Sequence, residues 1–139
     1  MKRRITAILG GLVLLLPYAG AAAVPKKRVI TQWKQALGPE VQVDRWGSIR
    51  VLLVVRKRTT IVGTKKTVAR RITAVRTPVW PNTGVFHTIS LNRRVIPLLA
   101  QEVLLEQFAT QVDVISEATD TSVGFEQSLQ VALANARRV

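Results

Sequence analysis

The residues best suited to chemistry lie near the C-terminal end of the chain, around the hydroxyl of Thr119. Small, acidic and hydroxyl side chains cluster there, and the set comprises Asp113, Ser116, Ala118, Thr119, Thr121 and Ser122. They precede a helical pattern, and the N–H groups at a helix N-terminus favour an anion. This segment is therefore suited to binding a phosphate, with the hydroxyls of Thr121 and Ser122 as further donors. Alternatively, these residues are ordinary helix caps.

Aromatic side chains and the single histidine are the next candidates. Trp46 and Trp80 offer flat faces that stack on planar rings, although tryptophan in a small domain more often belongs to the core. His87 lies in a predicted loop, where a lone histidine is usually structural or exposed. One histidine and no cysteine argue against the usual zinc sites, so no metal site is predicted. Because no catalytic triad or carboxylate pair is evident, a free-standing enzyme is not expected.

A strand-rich segment precedes these groups and must help to position them. Alternate apolar residues predict the buried face of one strand, at Ile49, Val51, Leu53 and Val55. The β-branched residues 67–75 predict a returning strand. Residues 56–66, which are basic and threonine-rich around Gly63, predict a hairpin turn or an exposed loop.

A helix is predicted to begin near Arg93, with Ser90 or Asn92 as its cap. Its apolar stripe comprises Ile96, Leu99, Val103 and Leu104. Pro97 lacks an N–H group, so it is expected only in the first turn of this helix.

A second helix is predicted to begin near Thr121 or Ser122, after a short strand at residues 112–115. Its apolar positions recur at helical spacing and are Phe125, Leu129, Ala132, Leu133 and Ala136. Together these elements predict an α+β fold, a twisted antiparallel sheet with two helices packed on it in a single domain.

The first residues have the layout of an export signal. Three cations at residues 2–4 precede an apolar run at residues 5–16, and a series of small residues ends at Ala23. Residues 1–23 are therefore interpreted as a cleaved signal peptide. Alternatively, the uncharged residues 5–24 form a membrane anchor, since 20 residues are just long enough to span a bilayer. Both alternatives make the protein exported and extracytoplasmic.

The charge of the chain is uneven along its length. Residues 24–39 are interpreted as a basic linker containing a short amphipathic stretch, and residues 40–139 as the functional domain. Residues 26–76 carry 14 basic and 2 acidic residues, whereas residues 77–139 carry 4 basic and 6 acidic residues. The basic half predicts an anionic neighbour, either a membrane or wall surface or an acidic partner. Nucleic acid is not expected, because aromatic residues are rarely interleaved with the arginines.

Residues 113–125, DVISEATDTSVGF, resemble the flavin-attachment segment of the FMN-binding domain family. That family's pattern is Asp-x-x-Ser-Gly-Ala-Thr, which is matched by Asp113, Ser116, Ala118 and Thr119, with Glu117 in place of glycine. The resemblance covers roughly residues 40–136. Its other matching stretches include residues 45–47, 71–75, 80–82, 89–92 and 128–130.

The resemblance implies a covalent flavoprotein. FMN would be attached through a phosphoester to Thr119 by an FAD:protein FMN transferase, after export and with a divalent metal. Asp113 would be read by the transferase or would fix the turn. The aromatic faces of Trp46 and Trp80 are the candidates for flanking the flavin ring. The protein would be an electron carrier between membrane redox proteins and extracytoplasmic acceptors. In this it would be similar to the flavin-carrying peripheral subunit of sodium-translocating NADH:quinone reductases.

Two departures from the family pattern leave alternatives open. Glu117 would be strained if its position requires a positive φ, and its carboxylate would lie beside a phosphate. The hairpin at residues 57–71 is longer than usual and carries six cations. The alternative function is a basic extracytoplasmic binding module that has lost its covalent flavin and docks on anionic lipid, wall polymer or an acidic partner. A flavin enzyme acting on a small substrate is a third option, for which the sequence shows no second site.

Overall fold

The computed structural model describes residues 24–139. The predicted signal peptide or anchor, residues 1–23, lies outside them. Antiparallel pairing organises the first half of the described chain around one long strand, β3 (Ser48–Val62). Strands β1 (Lys27–Leu37) and β4 (Lys65–Val79) flank β3. The two-residue strand β2 (Val41–Gln42) also pairs with β3, at the N-terminal end of β3.

Two helices cover one face of this sheet. They are α1 (Phe86–Glu106) and α2 (Thr119–Ala136). Alternate β3 residues meet the apolar stripes of the helices, and the largest core side chains are Ile49, Leu53, Ile72, Leu99, Phe125, Leu129 and Leu133. The predicted α+β fold is therefore confirmed, and the buried face of β3 and the buried stripe of α2 match their predictions.

The basic linker predicted at residues 24–39 is wrong for most of its length, because residues 27–37 form β1. Only Ala36 of this strand is buried, so its sequence lacks the alternating apolar pattern of a half-buried strand. Pairing with β3 along the whole of β1 supplies the backbone hydrogen bonds instead. The hairpin loop predicted at residues 56–66 is also largely strand, since the turn is confined to residues 63 and 64.

Helix α1 begins at Phe86, seven residues before the predicted start, and Val85 rather than Ser90 or Asn92 is its N-cap. Pro97 lies in the middle of this helix, contrary to the expectation that it would occupy the first turn. Its side chain and that of Arg93 are exposed, so water can reach the Arg93 carbonyl that Pro97 leaves without an N–H partner. Leu104, predicted in the apolar stripe, is on the exposed side. Residues 112–115 form no strand.

A buried serine connects α2 to the sheet. The Ser128 hydroxyl accepts a hydrogen bond from the Val51 N–H at 2.9 Å and donates one to the Pro39 carbonyl at 2.7 Å. Ser128 is fully buried, and a Cβ atom at Gly38 would lie only 2.2 Å from the Ser128 carbonyl oxygen. The serine therefore closes the irregular connection between β1 and β2 against the helix.

We expect Ser128→Ala to lower the free energy of unfolding by about 2–3 kcal/mol, because it leaves buried polar groups unpaired. Urea denaturation followed by circular dichroism measures this change. Ser116→Ala is the matched control: its hydroxyl is exposed, so the loss should stay within about 0.5 kcal/mol. Equal effects of the two substitutions would contradict the role assigned to Ser128.

Candidate functional site

A tight turn leads the chain into α2. The Ala118 N–H donates to the Ile115 carbonyl at 3.0 Å, which closes a four-residue β-turn. Glu117, the third residue of this turn, has φ +70°. A positive φ at the third position is the requirement of a type II turn, for which glycine is preferred. The backbone at Glu117 is therefore of the kind that glycine adopts without strain, and glutamate there costs on the order of 1 kcal/mol.

Ser122 holds this turn against the helix. Its hydroxyl accepts from the Ile115 N–H at 3.2 Å and donates to the Ala118 carbonyl at 2.8 Å. Ser122 is fully buried, and its only donor proton is used in the second of these bonds. Its place in the predicted cofactor set is therefore that of a support for the turn. Ala118 is also buried and forms the N-cap position of α2.

Thr119 is the first residue of α2, whose N-terminus lies two residues earlier than predicted. Its side chain is exposed, and no side chain caps the helix at Ala118. The N–H groups of the first helical turn have no carbonyl partner within the helix, so they can donate to an anion at this end. Thr119 thus combines an accessible hydroxyl with a helix N-terminus.

A cavity of about 480 Å³ opens beside Thr119. Its principal polar and aromatic lining residues are Trp46, His87, Asn92, Glu117, Thr119, Asp120 and Thr121. The cavity falls within the usual size range of small-molecule sites. The fold therefore brings together Thr119 and Trp46, which are 73 positions apart in the sequence.

Trp46 is held in place from several directions. It ends a short 3₁₀ helix (Asp44–Trp46), and its carbonyl accepts hydrogen bonds from both the backbone N–H and the hydroxyl of Thr83. The Arg45 guanidinium lies 4.8 Å from the centroid of the indole ring. Gly84 is so close to the ring that a Cβ atom there would lie 2.3 Å from it. The indole is consequently fixed at the cavity wall while remaining only partly buried.

A buried polar chain forms the floor between the two helices. The Thr121 hydroxyl donates to the Asn92 side-chain oxygen at 2.7 Å, and the Asn92 amide donates to the Pro81 carbonyl at 3.1 Å. Both side chains are almost fully buried and line the cavity. From the sequence, Asn92 is predicted only as a helix cap. A polar residue within the apolar stripe of α1, next to Val95 and Ile96, was the available signal for its buried role.

Of the remaining candidates, three lie away from the cavity and His87 lies at its wall. Asp113 and Ser116 are exposed and do not line the cavity, and the Asp113 N–H donates to the Glu102 carboxylate at 2.8 Å. Trp80 packs partly buried against the core and faces a different depression. His87 lies in the first turn of α1 rather than in the predicted loop, and it lines the cavity.

The charges around the cavity are unusual for an anion site. Glu117 and Asp120 contribute carboxylates, whereas no lysine or arginine lines this cavity within residues 24–139. A phosphate at Thr119 would therefore depend on backbone N–H groups rather than on cationic side chains.

Comparison with protein-family models, curated proteins and solved structures gave no match. Neither of the helices between residues 24 and 139 combines the length and apolar character needed to cross a membrane.

Proposed function

We propose that this chain is an exported electron carrier that holds FMN through a phosphoester on Thr119. The observation that carries the proposal is the position of Thr119. It is exposed at the first residue of α2, on the wall of a cavity that Trp46 also lines. The segment with the flavin-attachment pattern thus lies beside a space of suitable size and an aromatic side chain.

The residues present fit FMN in three respects. The first turn of α2 offers N–H groups to the phosphate. Trp46 offers an aromatic face or edge to a planar ring system at the same cavity. In the turn ending at Ala118, Glu117 has a positive φ, and the family pattern has glycine at this position. The third feature explains in physical terms why a glycine-containing motif precedes the attachment residue.

Attachment balances as a transfer of the FMN phosphoryl group from the phosphoanhydride of FAD to a hydroxyl. The Thr119 hydroxyl oxygen forms a bond to the phosphorus of the FMN half of FAD, and the bond from that phosphorus to AMP breaks. The hydroxyl proton is lost, and AMP leaves. An FAD:protein FMN transferase with its divalent metal would supply the catalysis. The bound flavin would supply the redox step, while the protein would supply attachment, position and electrostatics. The expected redox partners are membrane proteins.

We expect the protein to gain the mass of one FMN less one water when it is produced with an active transferase. Thr119→Ala should abolish this gain completely, because it removes the accepting hydroxyl. Intact-mass spectrometry of the exported protein measures both. Thr88→Ala is the matched control, since it removes a different hydroxyl from the wall of the same cavity and should leave attachment intact. An unmodified wild-type mass beside an active transferase would refute covalent attachment.

A second candidate function is favoured by the strained Glu117 and the two carboxylates at the cavity. In that case the protein has lost its covalent flavin and acts as a basic extracytoplasmic binding module on anionic lipid, wall polymer or an acidic partner. Colourless protein that is retained on an anionic surface and released by salt would favour this function over electron transfer.

A further inference from the structure

The far half of the sheet extends beyond the helices as a basic arm. We define the basic arm as residues 27–34 of β1 together with residues 56–71 of β3 and β4. Residues 27–34 carry three cations and residues 56–71 carry seven, without a single acidic residue in either range. Among the described residues, the only ion pair of 4.0 Å or less joins Arg50 to Glu40, outside the arm. The positive charge of the arm is therefore not neutralised by the fold.

The face of the arm turned away from the helices combines cations with apolar side chains. In the strand register, Trp33 is opposite Arg56, and Arg56 is opposite Arg71. Residues directly opposite one another share a face, and the next residue along β3, Val55, is buried on the helix side. Trp33 is 61% exposed, and Val29, on the same face, is 41% exposed. This outer face is an exposed basic surface, and its aromatic residue, Trp33, lies at the end of the arm nearest to the helices.

We propose that the outer face of the basic arm docks on an anionic lipid bilayer. Tryptophan is enriched at the boundary between headgroups and acyl chains, and basic side chains near an anionic leaflet each add to binding. A single-stranded nucleic acid fits less well, since such sites use several aromatic residues in succession and Trp33 is the only aromatic residue of the arm. This proposal is independent of the flavin.

The position at which the described chain begins supports docking of the arm on a membrane. Lys27 pairs with Val62, so β1 starts beside the hairpin turn at the tip of the arm. A Cβ atom at Gly63 would lie 3.6 Å from Pro25. In the sequence, the apolar run at residues 5–24 ends immediately before this point. The described chain thus begins at the tip of the arm, directly after the apolar run in the sequence.

The test uses the full-length chain reconstituted in vesicles, with a fluorophore on a single introduced cysteine. The chain has no cysteine of its own, so Thr31→Cys labels one exposed site on the outer face, next to Arg58 in the register. Gln130→Cys on α2 is the matched control. A quencher attached to the lipid should quench the label at position 31 in phosphatidylglycerol vesicles but not in pure phosphatidylcholine vesicles. High salt should reverse this quenching. The label at position 130 should not respond.

Charge-removing variants test whether the cations of the outer face cause the docking on anionic vesicles. Each of Arg56→Gln, Arg58→Gln and Arg71→Gln should lower the docked-to-undocked ratio about fivefold, and the three together should lower it about a hundredfold. The control triple substitution to Gln at Arg93, Arg94 and Arg138 removes as many exposed charges elsewhere and should have little effect. Equal loss in both sets would overturn the proposal, as would equal quenching in neutral vesicles. A Thr31 label that responds to an oligonucleotide or soluble wall polymer, but not to anionic vesicles, would also overturn it.

Discussion

Glu117→Gly is expected to accelerate flavin attachment to Thr119 by between a few-fold and about a hundredfold. The substitution removes a carboxylate from the cavity wall, two residues from the accepting hydroxyl. Like charges about 5 Å apart repel by about 3 kcal/mol at an effective dielectric constant of about 20, and by about 1 kcal/mol or less where water screens them fully. The incoming phosphate carries negative charge throughout the transfer, so removing the carboxylate lowers its barrier. The measurement is the rate of mass gain with purified transferase and FAD.

Glu117→Gln separates charge from backbone strain at this position. It removes the carboxylate but retains a side chain at φ +70°. We expect it to give the charge-dependent part of the acceleration without a gain in folding stability. Glu117→Gly should additionally raise the free energy of unfolding, by up to about 1 kcal/mol, because glycine adopts this φ without strain. If neither variant changes the attachment rate, Glu117 does not limit attachment. A slow attachment would then be due to recognition by the transferase.

The elements that sequence analysis predicted correctly are those with strong local periodicity. The buried faces of β3 and α2 were predicted because alternation and helical spacing reflect one-sided burial directly. Strand β1 was missed because it is exposed on both sides for most of its length. Its conformation depends on pairing with residues that lie 15–35 positions away. The early start of α1 was missed because its first turn is exposed and carries no capping side chain.

The candidate site, like the fold, was only partly predictable from the sequence. Thr119 could be selected from a local pattern that does not depend on the fold. Its proximity to Trp46, and the buried link between Thr121 and Asn92, require α1, α2 and the 3₁₀ helix to converge. From its place before the predicted helix, Ser122 is expected either to donate to the phosphate or to cap the helix. The helix begins earlier, so this serine lies inside the first turn and is buried. An error of two residues in a helix boundary therefore changes the role of a hydroxyl.

Gly84→Ala is expected to lower the free energy of unfolding by about 2–6 kcal/mol and to displace Trp46 from the cavity wall. Gly84 has φ +110°, where a residue with a side chain is strained by about 1–3 kcal/mol. The added methyl group would also lie 2.3 Å from the Trp46 ring, and relieving such an overlap typically costs about 1–3 kcal/mol. Urea denaturation measures the loss of stability. In the proposed holoprotein, Thr119 still carries the flavin, whose fluorescence should rise as the quenching indole moves away.

Gly63→Ala provides the matched control, because it makes the same substitution at another positive φ. Gly63 has φ +61° in the β3–β4 turn, and the nearest atom to an added Cβ is 3.6 Å away. Its cost should be about 1 kcal/mol from backbone strain alone, with unchanged flavin fluorescence. The difference between the two variants isolates the contact of Gly84 with Trp46. If Gly84→Ala costs no more than Gly63→Ala, Trp46 moves freely at the cavity wall, and its assignment as a fixed neighbour of the flavin ring is wrong.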